Sequence, residues 1–157
     1  SCSLDISETS RIKDMLGLLS LYFDKPLILI NSHLDKQTKH LVCGYALGHY
    51  LEHQLLMDLH TLNKFLTIKD KHILLYEHNA FTSHLMLDSD EVYQMTKRGL
   101  DAAQISAAKR IHLNLVLVKL LELHHLGYDL RHYHAQHHAF IKQFNLPAHF
   151  QFDVAAG

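Results

Sequence analysis

A chain of 157 residues, 48% hydrophobic and 20% charged, carries enough apolar side chain for one core, which excludes a disordered polymer. Its formal net charge of -1, with the 16 histidines counted as neutral, leaves no overall attraction to nucleic acid or to an anionic membrane. Six glycines and two prolines are too few for the turns of an all-β sandwich, so the composition points toward helix.

In chain order, Ile6, Ile12, Met15, Leu16 and Leu19 are spaced as on an amphipathic helix over residues 6–19, with Asp5 or Ser7 as its N-cap. Two short apolar runs, residues 19–23 and 27–31, flank Asp24, Lys25 and Pro26 and predict a β-hairpin with Pro26 at its turn or edge. A long helix is expected over residues 34–56, capped by Asp35, with Leu41, Val42, Tyr45, Leu47, Gly48 and Leu51 on its apolar face; Leu41, Val42, Leu47 and Leu51 are expected to be buried. Residues 56–70 fit either a loop with a short strand or a short helix. Residues 71–87 read as a second buried helix. Asp88, Ser89 and Asp90 interrupt it, and Ser89 or Asp90 can cap a helix over residues 92–97 that Gly99 ends as a C′ glycine. Two further helices, 101–110 and 113–126, meet at Ile111 and His112, and Gly127 stops the second. The remainder is rich in histidine and then loosely apolar.

The chemistry resides in residues 41–53, LVCGYALGHYLEH. Zinc peptidases set H-E-x-x-H on a helix because two histidines four apart project from one face and reach one Zn²⁺. The glutamate beside the first histidine then serves the bound water as general base. Here Tyr45 and His49 stand four apart in that frame, with Ala46 after the first position. His49 can also be read as a half-buried histidine hydrogen-bonded to a neighbour such as Tyr45. His49 and His53, again four apart, are an alternative metal pair.

From LYFDKPLILIN through GYALGHYLEH, the chain resembles the ImmA/IrrE-type metallopeptidases, whose pattern is a hairpin, a phrase like ILIN, a polar helix start and H-E-L-G-H-Y-L-x-H. YEHNAFTSHLMLDSDEV is similar to that family's second motif, in which a small residue, Asn and then Phe precede an LLLP-like stop. Asn79 and Phe81 fit, as do Leu85, Met86 and Leu87. The resemblance spans roughly residues 18 to 130, and its last part is similar to a helix-turn-helix-like end. It implies an α+β fold, mostly helical, with a small β-hairpin or sheet packed on the zincin-like signature helix. It also implies a single domain over residues 1–157: a metallopeptidase-like core at 18–87, a helical part at 88–130 and a His-rich tail at 131–157.

In the family's frame Tyr45 takes the place of the first zinc histidine and Ala46 that of the catalytic glutamate. The third ligand, an acid three residues before the small residue, falls at Leu75, two positions from Glu77. A helix turns about 200° over two residues. The resemblance therefore implies no catalytic residue and a vestigial metal position of His49 and Glu77, with no cofactor expected and zinc if any metal. Members of that family commonly sit in phages and mobile elements and act on a repressor partner, in several cases by cleaving it. The expectation is thus a degenerate metallopeptidase-like regulator that binds a repressor-like protein partner. Two alternatives are an active zinc-dependent endopeptidase on an unorthodox metal site and a helix-turn-helix transcription regulator.

For the last of these, Lys109, Arg110 and Lys119 supply positive charge, but the helix after residue 113 is apolar almost all round, whereas a recognition helix shows polar groups to base edges. Nucleic acid is accordingly not expected as a partner. His124, His125, His132, His134, His137 and His138 cluster, and His134 with His138 have a metal-pair spacing if helical. Two cysteines, Cys2 and Cys43, make no disulfide framework; with no signal-peptide pattern and no apolar run near the roughly 20 residues of a membrane helix, a cytoplasmic location and no membrane partner are expected.

Overall fold

The computed structural model describes residues 4–12, 15–23, 25–55, 64–67 and 76–130, the side chains of 52–55 and 64–67 excepted. The elements are β1 (Asp5–Thr9), β2 (Met15–Tyr22), β3 (Lys25–Asn31), α1 (Lys36–Leu55), β4 (Lys64–Thr67), α2 (Tyr76–Met86), α3 (Ser89–Lys97), α4 (Ala102–Lys109) and α5 (Leu113–His125). The fold is α+β and mostly helical, and its four described strands form one sheet in the order β1-β3-β2-β4.

The hairpin forms where the sequence places it: β2 and β3 are antiparallel, with Leu19 opposite Ile28 and Tyr22 opposite Lys25. The helix expected over residues 6–19 does not form. Its first half is β1, parallel to β3, and its second half is the start of β2. Two physical reasons decide it. Long-range pairing gives β1 its hydrogen bonds, which no local periodicity reveals. Gly17 also lies where a Cβ would come 2.7 Å from Leu29 O and 3.0 Å from Val42 Cγ1, so that strand packs flush under α1. Asn31 fixes the corner: its Nδ2 donates to the carbonyls of Ile12 (2.8 Å) and Met15 (3.0 Å), and its Oδ1 accepts from the His33 backbone.

Asp35 caps α1 by accepting from the Thr38 backbone at 3.0 Å. One face of α1 covers the sheet through Val42, Tyr45, Ala46 and Tyr50 against Leu19, Ile28 and Ile30. Leu41 (4%) and Val42 (0%) are buried as expected, but Leu47 and Leu51 are only half-buried. Each follows a centre-face residue by one position, and about 100° of helical rotation carries it to the edge of the contact.

α2 packs on α1 at close range. A Cβ on Gly44 would come 2.2 Å from Thr82 Cγ2, and one on Gly48 would come 3.2 Å from Phe81 and 3.3 Å from His78. α3, α4 and α5 close the second core around Leu87, Val92, Ile105, Leu115, Val116 and Leu123. The cap of α3 is Asp88, which accepts from the Glu91 backbone at 2.8 Å, rather than Ser89 or Asp90. Ser89 and Asp90 are its first helical residues. Gly99 (φ +86°) and Gly127 (φ +91°) end α3 and α5 in the left-handed conformation that glycine tolerates. α5 is a core helix: the run from Leu115 through Leu121 is buried, Lys119 included, so Lys119 faces the core. No helix among the described residues is long and apolar enough to cross a membrane.

Candidate functional site

α1 and α2 bring the motif residues together along their glycine-lined contact. Tyr45 and Ala46 are both 1% exposed, on the face of α1 that covers the sheet. One turn on from Tyr45, His49 is half-buried at the edge of that face. Facing them on α2 is His78, 6% exposed, with its ring centroid 4.8 Å from that of Tyr45 and 5.6 Å from that of His49. Asn79, the next residue, is 2% exposed. Thr82 Oγ1 donates to the His78 carbonyl at 2.7 Å, fixing that turn of α2 against Gly44.

Among the expected positions, the structure joins Tyr45, Ala46 and His49 and sets Asn79 on the buried side of α2. Glu77 is exposed, about 100° around α2 from each of its buried neighbours Tyr76 and His78. The side chain of His53, Leu75 and the histidines at 132, 134, 137 and 138 lie outside the described residues. His124 and His125 have their ring centroids 6.0 Å apart, and burial first, then the charge of His125, hold the His124 imidazole below its ordinary range.

His78 is the member of the constellation that motif reading missed. In the register read from the sequence it falls at the expected small residue of the second motif, directly before Asn79, and it faces Gly48. A histidine in a slot that the pattern reserves for a small side chain was the available signal. The site thus holds one phenol and two imidazoles along a helix seam. Among the described residues no three His, Cys, Asp or Glu side chains are grouped to hold a metal ion, so these residues do not make up the three-ligand set that a catalytic zinc uses.

On the outer side of α2, Phe81 (37% exposed) and Leu85 (60%) form an apolar pair one turn apart, and Phe81 borders Gly48. Leu87, at the end of the motif's apolar stop, is 1% exposed and belongs to the core.

Compared with known proteins, residues 8–121 match the model of a peptidase family described as the IrrE N-terminal-like domain. No curated protein and no solved structure matched the chain.

Proposed function

Because the chain belongs to the IrrE N-terminal-like domain family, we propose that it acts as a catalytically degenerate, peptidase-like regulator that holds a protein partner, a repressor of the phage or mobile-element kind, without hydrolysing it. The observation that carries this reading is the burial of Tyr45 and Ala46, each 1% exposed, at the two positions where the family pattern has its first zinc histidine and its general base. Peptide hydrolysis by such a site needs a lowered water pKa and a carboxylate in reach of that water's proton. A methyl group offers no proton acceptor, and a phenol, with an ordinary pKa near 10, is a poor ligand at neutral pH.

The exposed pair Phe81 and Leu85 beside the seam supports the binding half of the proposal, since adjoining exposed apolar side chains favour contact with a partner. A cytoplasmic setting belongs to the same reading. The competing reading is a zinc-dependent endopeptidase on an unorthodox ligand set, and the His49–His78 imidazole pair is the observation on its side.

One experiment separates the two. The full chain, stripped with chelator and dialysed, is titrated into a candidate repressor with and without added zinc, and both binding heat and cleavage products are followed. Binding without cleavage in both conditions, weakened by Phe81→Asp or Leu85→Asp, supports the regulator. Chelator-sensitive turnover by the unmodified chain refutes it.

A further inference from the structure

β1 is an end strand of the sheet, and its side chains from Asp5 to Glu8 are exposed. The Thr9 carbonyl accepts from the Ser32 backbone at 2.9 Å, one residue past its register partner Asn31, so Thr9 turns its backbone groups toward β3. Along a strand these groups alternate between the two sides. Asp5 and Ser7 therefore face β3 as well. The N–H and C=O of Ile6 and Glu8 face outward, where no strand meets them among the described residues.

The side chains continue the core toward that edge. Ile6 is in register with Ile28 and shares its face of the sheet. α1 covers Ile28, which is 0% exposed, but leaves Ile6 at 55%. Leu4, two residues before Ile6, packs against the same core. Lys and Pro commonly blunt a free edge, and Asp5–Thr9 contains neither. The Glu8 carboxylate is turned back onto Lys39 of α1, at 2.7 Å.

We propose that β1 pairs with β1 of a second copy of this chain, antiparallel and centred on Ile6, so that two sheets join edge to edge. Charge and apolar matching select both the occupant and the register. A centre at Asp5 or at Glu8 would set a carboxylate against its own copy, which is unfavourable for residues directly opposite. A centre at Ser7 would set Ile6 against Glu8, and one at Thr9 would leave Asp5 to Glu8 beyond the end of the other strand. Centred on Ile6, the isoleucines of the two copies meet and Leu4 lies opposite Glu8. Asp5 lies opposite Ser7, whose hydroxyl can donate to the carboxylate. No like charges then stand opposite, and the outward groups of Leu4, Ile6 and Glu8 exchange about six hydrogen bonds. One short strand from each copy buries less than the roughly 1,200 Å² of a stable complex. The dimer is therefore weak, with a dissociation constant on the order of 0.1 mM. The seam lies between α1 and α2, not at β1, so this proposal stands apart from partner binding and does not depend on it.

The test is sedimentation equilibrium of the full chain from about 10 μM to about 1 mM, a range that brackets the expected constant. The mass should rise from one chain to two. Ile6→Lys sets two cations against each other at the centre and should weaken association more than about tenfold. In the register centred on Ser7 the same change would face Glu8 and tighten it. Ile6→Pro removes an outward N–H but no bond to β3, and should also abolish the dimer. Amide hydrogen exchange of the unmodified chain gives a reading that holds even if a variant fails to fold. Ile6 and Glu8 should exchange more slowly as concentration rises, while Ser7, already bonded to β3, keeps its rate. A single-chain mass at about 1 mM, assemblies larger than a dimer, a dimer that Ile6→Lys or Ile6→Pro leaves intact, or Ile6 and Glu8 rates independent of concentration would each overturn the proposal.

Discussion

Replacing Gly44 with alanine would put a methyl group 2.2 Å from Thr82 Cγ2 and 2.8 Å from its Oγ1. Thr82 cannot step aside easily: it is 0% exposed, and its hydroxyl donates to the His78 carbonyl. Ordinary contact begins near 3.4 Å, so the gap at Cγ2 must widen by 1.2 Å (3.4 − 2.2). A shift of that size separates α1 from α2 or drives Thr82 off its rotamer, and overpacking of this kind costs about 1–3 kcal/mol. Alanine returns roughly 1 kcal/mol of helix propensity. A 2.2 Å approach puts the overpacking in the upper part of that range, about 2–3 kcal/mol, so the net expectation is a loss of about 1–2 kcal/mol, read as a lower urea midpoint at unchanged slope. Gly48→Ala supplies the contrast. Its new methyl would meet Phe81 and His78 at 3.2 and 3.3 Å, and the Phe81 ring is 37% exposed and free to yield. Gain and loss then nearly cancel. Thr82→Ala removes the two closest atoms, leaving its Cβ at 3.0 Å, and should largely rescue Gly44→Ala in a double-mutant cycle. A Gly44→Ala chain as stable as its parent would refute the close α1–α2 packing.

Three other outcomes are expected. After chelation and dialysis the chain should hold well under one equivalent of zinc, and Tyr45→His with Ala46→Glu, Leu75→Glu and His78→Ala should raise zinc affinity, measured by competition with a chromophoric chelator. Tyr45 and His78 should couple: a cycle of Tyr45→Leu and His78→Ala, read by urea unfolding, should give about 0.5–1.5 kcal/mol beyond additivity, as packed ring pairs do. His112 caps α5 by accepting from the Asn114 backbone through Nδ1, which requires a neutral ring, and burial holds its imidazole below the ordinary range while Asp35 pulls it up. A lowered folded pKa means that the cap stabilises above the ordinary imidazole range and is lost as pH falls through the folded value. His112 should therefore titrate below pH 6.5 by NMR, and lower still in Asp35→Asn.

The helices were legible because their ends are written locally. Asp35 caps one, Gly99 and Gly127 stop two others, and the apolar stripe of α1 repeats at helical spacing. The hairpin was legible for the same reason, two apolar runs around a turn. β1 was not, because its partner β3 lies a full hairpin away and a parallel pairing has no signature in either strand alone. Leu47 and Leu51 showed the limit of periodicity: it selects a face but not the width of the surface that covers it. At the site, Tyr45, Ala46 and His49 could be located by counting along one helix. The position of His78 depends on how α2 docks against α1, a matter of Gly44, Gly48 and Thr82 together. The burial of Lys119 was invisible for a related reason: a charged residue in an apolar run reads as either a surface mark or a buried partner, and the way α5 packs into the core decides which.

The residues at the expected motif positions are not independent of one another. Tyr45 is larger than the histidine expected from the resemblance and Ala46 smaller than the expected glutamate, and both fit the contact between α1 and the sheet with 1% exposure. His78 is larger than the small residue expected there, and its ring meets both Tyr45 and His49. Gly48, kept from the family phrase, leaves that ring its space: a Cβ there would be 3.3 Å from His78 Cδ2. Close packing in a protein interior transmits any change of volume to its neighbours. The phenol at 45 and the imidazole at 78 therefore fill the seam jointly, and restoring either position alone would leave the other without its packing partner. A site rebuilt for metal has to revert both walls, which is a larger step than the two motif positions suggest when read along α1 alone.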